Sequence, residues 1–215
     1  MKITVFGATG MVGKHLVNLA LERDFSVRAF SRDAWANRRI HPNLEVFKGY
    51  VFQQDEVEAA LAGADAVLSV LGGATDGIDK TRSLGMKTIV EAMGKTGVKR
   101  IVAVGGMGIL NANDDTLIFH TEKFPAAYKP VSQEHFKAYQ FLAASSLDWT
   151  MVCPPTIVDG GFTGSYETKE DFPAAGKFQI NAGDLADFML KELTGNQFVR
   201  HRVGISNLSK CAAKT

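Results

Sequence analysis

Short apolar runs alternate with segments of helical periodicity through the first two-thirds of the chain. Runs rich in β-branched and aromatic residues predict buried strands, and apolar residues three or four positions apart predict helices. The predicted strands cover 3–6, 25–30, 44–48, 66–71, 101–104, 148–152 and 202–205. The predicted helices begin after Gly10 and at 53–61, 81–94, 132–145 and 182–193. This alternation predicts an α/β fold, a doubly wound parallel sheet with helices on both faces.

Two stretches interrupt the alternation. Residues 109–131 are irregular and contain two prolines, and residues 160–176 are rich in glycine and threonine, which indicates a mobile loop. Long irregular loops in compact domains are often functional. Two finer expectations concern helices: Ser132 is expected as an N-cap, and Leu84 is expected on the apolar side of the helix at 81–94. We predict a single domain over 1–215.

A glycine-rich motif directly follows the first predicted strand and opens the first predicted helix. It reads Gly7-Ala8-Thr9-Gly10-Met11-Val12-Gly13. In this context Gly7 allows a tight turn, Gly10 lets a pyrophosphate approach the backbone, and Gly13 lets the helix pack closely on the strand. Free N–H groups at the helix N-terminus attract phosphate. The motif therefore predicts a dinucleotide site on a Rossmann-type sheet. The alternative is a tight turn that binds no ligand.

The end of the second predicted strand distinguishes NAD from NADP. An NAD site usually carries an acidic residue about 20 residues after the motif, which holds the ribose 2′-OH. Ser31 and Arg32 occupy that place here. A guanidinium can pair with a 2′-phosphate through its planar fork, and Arg38 or Arg39 can assist. We therefore expect NADP, in its reduced form NADPH, as the cofactor. The alternative for Arg32 is a solvated surface arginine.

Composition and charge argue against several classes of protein. Of the 215 residues, 46% are hydrophobic and 22% are charged, which is against disorder. Lys and Arg number 24 against 23 Asp and Glu, so we expect no nucleic-acid partner. No apolar run approaches the roughly 20 residues of a membrane span, so we expect no membrane partner. Cys153 and Cys211 fit no zinc or CxxC spacing. We therefore expect no bound metal. We expect both cysteines to be free thiols in a reducing cytoplasm.

Together these residues match a known family pattern. Its marks are Phe6–Gly10, Arg32-Asp33, Asp65–Val67, Leu71-Gly72, Pro154-Pro155, the segment 163–166 and the helix 183–190. On these marks the chain resembles the atypical short-chain dehydrogenase/reductases with an NmrA-like fold. Within that family it is most similar to the biliverdin-IXβ reductases, also called flavin reductases. The resemblance covers nearly the whole chain.

The resemblance implies a nicotinamide pocket at the carboxyl ends of the strands. Its walls would be three turns: Leu71-Gly72-Gly73, Gly105-Gly106 and Pro154-Pro155-Thr156-Ile157. Tyr50, followed by Val51, stands where the family often has an acidic residue near the adenine. This is a departure from the family pattern, and we count both residues among those that bind the cofactor.

The resemblance also indicates which catalytic groups are missing. Typical members use a Ser and a Tyr-x-x-x-Lys pair, in which Tyr protonates the developing alkoxide and Lys lowers its pKa. This sequence contains no Tyr-x-x-x-Lys, and Gly106 holds the serine position. His135 and Tyr139 stand on the matching helix, one turn apart. We expect both to be catalytic, with His135 as a general acid through its unperturbed pKa or with solvent as the proton source. The alternatives are a surface histidine and a packed tyrosine.

In this family the loop after the sixth strand commonly covers the substrate, so we expect Phe162, Thr163 and Tyr166 to contact it. Aromatic rings there could stack on a planar substrate. The alternative is ordinary anchoring of the loop.

We therefore expect an NADPH-dependent reductase that transfers hydride to a planar conjugated acceptor, such as a flavin, quinone or tetrapyrrole. Most of the acceleration would come from positioning. Two alternatives stay open, because one fold hosts many functions. The first is an NmrA-like redox sensor that binds NADP(H) without turnover. The second is a carbonyl reductase or epimerase with an unusual catalytic residue. We expect a monomer or a homodimer.

Overall fold

The computed structural model describes residues 1–33 and 40–209. Three residues named in the sequence analysis, Arg38, Arg39 and Cys211, lie outside the described residues.

Helices and strands alternate along the described chain as βαβ units require. The helices are α1 (Met11–Glu22), α2 (Gln54–Leu61), α3 (Thr81–Thr96), α4 (Lys129–Ala143) and α5 (Ala182–Gly195). The strands are β1 (Lys2–Phe6), β2 (Ser26–Ser31), β3 (Leu44–Lys48), β4 (Ala66–Ser69), β5 (Arg100–Val104), β6 (Asn111–Asn113), β7 (Thr116–Leu117), β8 (Asp148–Cys153), β9 (Thr156–Val158), β10 (Tyr166–Glu170), β11 (Gln179–Asn181) and β12 (His201–Asn207). Every strand and helix predicted from periodicity is present, and no end is shifted by more than three residues.

The main sheet confirms the predicted Rossmann-type architecture. Within the described residues it has eight strands, in the spatial order β3-β2-β1-β4-β5-β8-β12-β10. Neighbouring strands are parallel, except that β10 runs antiparallel to β12 at the edge. The strand order reverses between β1 and β4, because β2 and β3 lie on one side of β1 and the later strands lie on the other side. Open α/β sheets bind ligands at the carboxyl ends of strands at such a reversal.

Alternate side chains of the strands belong to two separate cores. Ile3 and Val5 are fully buried in the core that α1 and α5 cover, whereas Phe6 is fully buried in the core beneath α2, α3 and α4. Parallel strands buried on both faces must be apolar at successive positions. The sequence therefore shows them as continuous apolar runs.

Two expectations about helices are wrong. Helix α4 begins at Lys129 rather than at Ser132, because Pro130 fits the first turn, where its missing N–H is not needed. Ser132 lies inside the helix and is buried. Leu84 is 46% exposed, since the buried side of α3 runs through Met86 and Ile89 instead.

The two irregular stretches contain more regular structure than expected. Residues 166–170, inside the predicted mobile loop, form the edge strand β10. The stretch 109–131 contains the small antiparallel pair β6–β7 and the short 3₁₀ turns Ile118–His120 and Ala126–Tyr128. Both stretches are therefore hydrogen-bonded parts of the fold.

A buried ion pair joins the centre of the sheet to α5. The Arg100 guanidinium on β5 donates hydrogen bonds to the Glu192 carboxylate and to Thr150 Oγ1, each at 2.9 Å. The Glu192 carboxylate also accepts the backbone N–H of Phe198 at 3.0 Å. Both charged side chains are nearly inaccessible to water. The pair therefore fixes α5 and the turn that follows it against β5 and β8.

We expect Glu192→Ala to destabilise the fold by about 3–5 kcal/mol, because it leaves the Arg100 charge buried without its partner. The free energy of unfolding from urea titration measures the loss. The matched control is Glu91→Ala, since Glu91 is 52% exposed and pairs with Lys87 on the surface of α3. Equal losses in the two variants would contradict the prediction.

Candidate active site

The glycine motif forms a turn that side chains would not permit. Gly7 has a φ of +82°, and a Cβ there would lie 2.6 Å from the carbonyl oxygen of Val70. A Cβ on Gly13 would lie 2.1 Å from the carbonyl oxygen of Gly7. The first turn of α1 therefore packs directly on the backbone at the ends of β1 and β4. Since the first helical hydrogen bond runs from the Lys14 N–H to the Gly10 carbonyl at 3.0 Å, the N–H groups before Lys14 precede the helical ladder.

A cavity of about 650 Å³ extends along the carboxyl edge of the sheet from this turn. It brings together most of the residues predicted to bind the cofactor, namely Gly7, Thr9, Gly10, Met11, Val12, Ser31, Arg32, Tyr50, Val51, Leu71, Gly72, Gly73, Gly105 and Ile157. The glycine cradle, the free N–H groups and the volume of the cavity fit a dinucleotide.

Six residues of the same prediction lie outside the described lining of this cavity: Ala8, Gly13, Gly106, Pro154, Pro155 and Thr156. Some of them shape its walls. Ala8 is fully buried in the core, and Gly13 allows α1 to contact Gly7. The Pro154 carbonyl accepts the N–H of Met107 at 2.9 Å, so it ties two of the wall turns together.

One end of the cavity is aromatic and carries a cation. Arg32 is exposed there, whereas Ser31 is buried and its hydroxyl donates to the Asp33 carbonyl at 2.9 Å. Sequence reasoning missed Phe30, Gly49 and Phe52. The signal that could have revealed them is the pair of exposed aromatic residues after β3, since Tyr50 is 51% and Phe52 is 53% exposed.

Sequence reasoning also missed a polar group at the start of α3. Asp79, Thr81 and Arg82 line the cavity, as do Val70 and Val104. The Asp79 carboxylate accepts N–H groups from Thr81 at 2.8 Å and Ala74 at 2.9 Å, and the hydrogen bonds from Thr81 lower its pKa. The Arg82 guanidinium donates to the carbonyls of Gly73 and Ala74 at 2.8 Å. These bonds hold the turn after β4. An acidic residue just before a predicted helix was the available signal.

His135 lies in the cavity wall, but it is neutral at pH 7. Its Nδ1 is buried without a hydrogen-bond partner among the described residues, and its ring lies against Gly106. Burial, with a smaller contribution from the nearby Arg82 charge, lowers the pKa of His135 to about 3. The expectation of a general acid with an unperturbed pKa is therefore wrong. His135 lines the cavity together with Gly105, and its role in catalysis stays a proposal.

Tyr139 does not line the described cavity. Its ring makes an edge contact with Trp149, with centroids 5.7 Å apart, and the Arg202 guanidinium lies 5.0 Å from its centroid. The structure therefore favours the packing interpretation of Tyr139 over the catalytic one.

Of the three residues expected to contact the substrate, Thr163 and Tyr166 make hydrogen bonds that anchor the loop. The Asp184 carboxylate accepts hydrogen bonds from the Thr163 N–H at 2.7 Å and from its hydroxyl at 2.8 Å. Tyr166 donates to Asp187 at 2.6 Å, and burial together with that bond raises the Tyr166 pKa. Phe162 is 52% exposed beside Lys191. Since the described cavity lining includes none of them, the loop-anchoring alternative is favoured.

One cluster has metal-ligating groups, although no metal was expected. Glu170, Asp171 and His201 offer ligand atoms within 4.8 Å of one another. Asp171 is already engaged, since its carboxylate lies 2.9 Å from His201 Nδ1 and accepts the Arg202 N–H at 3.1 Å. These contacts explain the cluster as a structural link between β10 and β12.

The sheet order, the glycine turn and the cavity define a Rossmann-type nucleotide-binding protein. Comparison with known proteins identifies it further. The NAD(P)H-binding family matches residues 7–196, and the chain belongs to this family. The expected kinship with atypical short-chain dehydrogenase/reductases is thereby confirmed.

The similar proteins include some that are named as epimerases and one that is named as a flavin reductase. An uncharacterised sugar epimerase of Bacillus subtilis, YhfK, is 28% identical over 80% of this chain and 79% of its own length. A proposed epimerase from Bacteroides thetaiotaomicron is 29% identical, covers 98% of both chains and has a TM-score of 0.87. A proposed NADH-flavin reductase from Streptococcus pneumoniae is 27% identical over 96% of this chain and 99% of its own, with a TM-score of 0.82.

In the two described ranges, no helix combines the length and the apolar character needed to cross a membrane.

We expect acid to destabilise the wild-type protein partly through His135. Histidine titrates near pH 6.5 in the unfolded chain, whereas the folded pKa is about 3, so the unfolded state binds an extra proton between these values. Stability is then lost as the pH falls below about 6.5, by up to about 1.4 kcal/mol per unit. Between pH 7 and pH 5, wild type should lose roughly 2 kcal/mol more than His135→Asn in urea unfolding.

The control for this titration is His120→Asn, since His120 is exposed. Its acid destabilisation should match that of wild type. Parallel pH dependences for wild type and His135→Asn would refute the buried neutral imidazole.

Proposed function

We propose that the protein is an NADPH-dependent reductase that transfers hydride to a planar conjugated acceptor, namely a flavin, quinone or tetrapyrrole. The observation that carries the proposal is the extent of one cavity, whose lining runs from Arg32 past the glycine turn to Gly105 and His135. Such a cavity can hold a dinucleotide along the sheet edge, with its reactive end near β5.

The preference for NADPH rests on Arg32. Its guanidinium is exposed at the cavity, where the second strand ends and where NAD sites usually carry an acidic residue. An arginine fork there suits a 2′-phosphate, because the planar guanidinium can donate two parallel hydrogen bonds to the oxygens of this anion.

The chain would act mainly by positioning. A bound NADPH supplies a hydride. The glycine turn would hold the pyrophosphate, and Gly72, Gly105 and Ile157 would orient the nicotinamide ring against the wall. Since His135 is neutral at pH 7, the acceptor would take its proton from solvent after gaining the hydride, which yields the reduced acceptor and NADP⁺. A conjugated acceptor can spread the added charge until it is protonated, so it does not require the missing Tyr–Lys pair.

The two relatives named as epimerases support a second candidate, an epimerase or carbonyl reductase. This reaction requires an acid–base group beside the nicotinamide, and His135 is the imidazole in the described cavity lining. His135→Ala would then abolish turnover and leave cofactor binding intact. A sensor that binds NADP(H) without turnover is the remaining alternative, and it is consistent with the absence of Tyr-x-x-x-Lys from the sequence.

We further propose that the whole chain, 1–215, acts as one domain on a small molecule, as a monomer or homodimer in a reducing cytoplasm. The near-balanced charge and the buried free thiol of Cys153 support this view.

Arg32→Ala should raise the KM for NADPH by roughly 10- to 100-fold, because a charged hydrogen bond contributes about 1.5–3 kcal/mol. The KM for NADH should change little, since NADH has no 2′-phosphate. Initial rates with each nucleotide measure both values. Lys87→Ala, which removes an exposed cation from α3, serves as the control. An equal effect of Arg32→Ala on both nucleotides would contradict an NADP preference.

The protein should be mixed with NADPH and one acceptor at a time, namely FMN, a quinone or biliverdin. We expect the absorbance of NADPH to fall with at least one of these acceptors. Simple aldehydes and ketones should react far more slowly, because His135 is neutral at pH 7 and does not protonate an alkoxide. Tight NADPH binding without oxidation by any acceptor would favour the sensor.

A further inference from the structure

Two arginines line the cavity at the ends of different strands. Arg32 directly follows β2, whereas Arg82 is hydrogen-bonded to the turn after β4. Strand β1, which ends in the glycine turn, lies between β2 and β4 in the sheet. Neighbouring strands are about 4.8 Å apart, so the ends of β2 and β4 are separated by roughly 10 Å. The two cations are therefore placed to bind different anionic groups.

Backbone carbonyls hold the Arg82 side chain in place. Its guanidinium donates hydrogen bonds from two different nitrogens to the carbonyls of Gly73 and Ala74, each at 2.8 Å. A guanidinium has five N–H groups, so these two bonds leave part of the fork available. Gly73 lines the cavity, and the turn that contains it begins at Val70, whose carbonyl packs against Gly7. The fork is thus fixed in the cavity wall close to the glycine turn.

The positive charge of Arg82 has no ion-pair partner among the described residues. The two carboxylates that influence its pKa belong to Asp79 and Glu134. Asp79 accepts two backbone N–H groups, at 2.8 and 2.9 Å. Glu134 pairs with Lys80 at 3.0 Å and with Lys137 at 3.2 Å. Both carboxylates are therefore engaged by other groups.

Water solvates the Arg82 cation only in part. The side chain is half-buried, and burial lowers the pKa of its guanidinium. Next to burial, its charge is what disfavours the protonated form of His135, which places the two side chains near each other in the cavity wall. Solvent screens a half-buried cation less than an exposed one, so an anion is attracted more strongly. A bound anion would supply the partner that the fold does not.

We propose that Arg82 binds a phosphate group of a ligand in this cavity, at a subsite separate from the one proposed for Arg32. The planar fork suits the oxygens of a phosphate, to which it donates charge-assisted hydrogen bonds. The group can come from the diphosphate of the dinucleotide or from a phosphate on the acceptor, as in FMN. This inference rests on nucleotide binding in the cavity, which the proposed function requires, and not on hydride transfer.

Calorimetric titration of NADP⁺ and of NAD⁺ into the protein tests the subsite without turnover. If the group is the diphosphate, Arg82→Gln should raise the Kd of both nucleotides about 10-fold, because both lose a charge-assisted contact. Arg82→Lys keeps the cation and should stay within about 3-fold of wild type. Both replacement side chains can still donate to the Gly73 carbonyl, so the turn after β4 keeps a hydrogen bond.

Titration of FMN and of riboflavin into the protein saturated with NADP⁺ tests the other source, since riboflavin lacks the phosphate. If Arg82 binds the phosphate of the acceptor, Arg82→Gln should raise the Kd of FMN about 10-fold and leave those of riboflavin and NADP⁺ unchanged. The control is Lys87→Gln, because Lys87 is an exposed cation on the same helix and outside the described lining of the cavity. It should leave every Kd unchanged.

Several results would overturn the subsite. Equal losses in Arg82→Gln and Arg82→Lys would mean that Arg82 only holds the turn after β4. A loss for NADP⁺ without one for NAD⁺ would assign Arg82 to the same phosphate as Arg32. Unchanged Kd values for both nucleotides and for FMN would exclude phosphate binding, even if NADPH is oxidised. The expected losses without NADPH oxidation by any acceptor would instead overturn the reductase and leave the subsite standing.

Discussion

The close approach of three backbone segments is the constraint on which the site depends. Helix α1 can begin directly on the ends of β1 and β4 only because Gly7 and Gly13 have no Cβ. A Cβ on either glycine would collide with a carbonyl oxygen. This contact opens the crevice at the point where the strand order reverses, and it presents free N–H groups to that crevice. The cavity, the adjoining turns and their alignment along the sheet edge follow from it.

Charge is distributed unevenly around the cavity. Arg32 and Arg82 are cations in its lining, whereas the Asp79 carboxylate in the same lining accepts the backbone N–H groups of Ala74 and Thr81. His135 contributes no charge at neutral pH, because enclosure and the Arg82 guanidinium both disfavour its protonated form. The site therefore favours an anionic nucleotide but has weak means of protonating a product. This combination suits an acceptor that stabilises added electron density within its own ring.

Helix α5 organises the C-terminal half of the molecule through buried carboxylates. Asp184 holds the loop before β10, Asp187 bonds Tyr166, and Glu192 pairs with Arg100 at the centre of the sheet. Burial alone would raise the Asp187 pKa, but hydrogen bonds from Lys191, Tyr166 and Arg23 lower it overall. Each carboxylate thus links α5 to a residue that is distant from it in the sequence. The helix thus positions β10 and β12, which pair at the edge of the sheet.

Local sequence was sufficient for the parallel strands of the main sheet, the helices and the glycine turn, because apolar periodicity and the absence of side chains act over a few residues. It also located most of the cavity lining at strand ends. It could not show that Tyr139 packs on Trp149, that Thr163 and Tyr166 bond α5, or that Asp79 and Arg82 reach the cavity. Nor could it foresee the pKa of His135. Those properties depend on which distant groups enclose a side chain, and burial of a charge is decided only when the chain is packed.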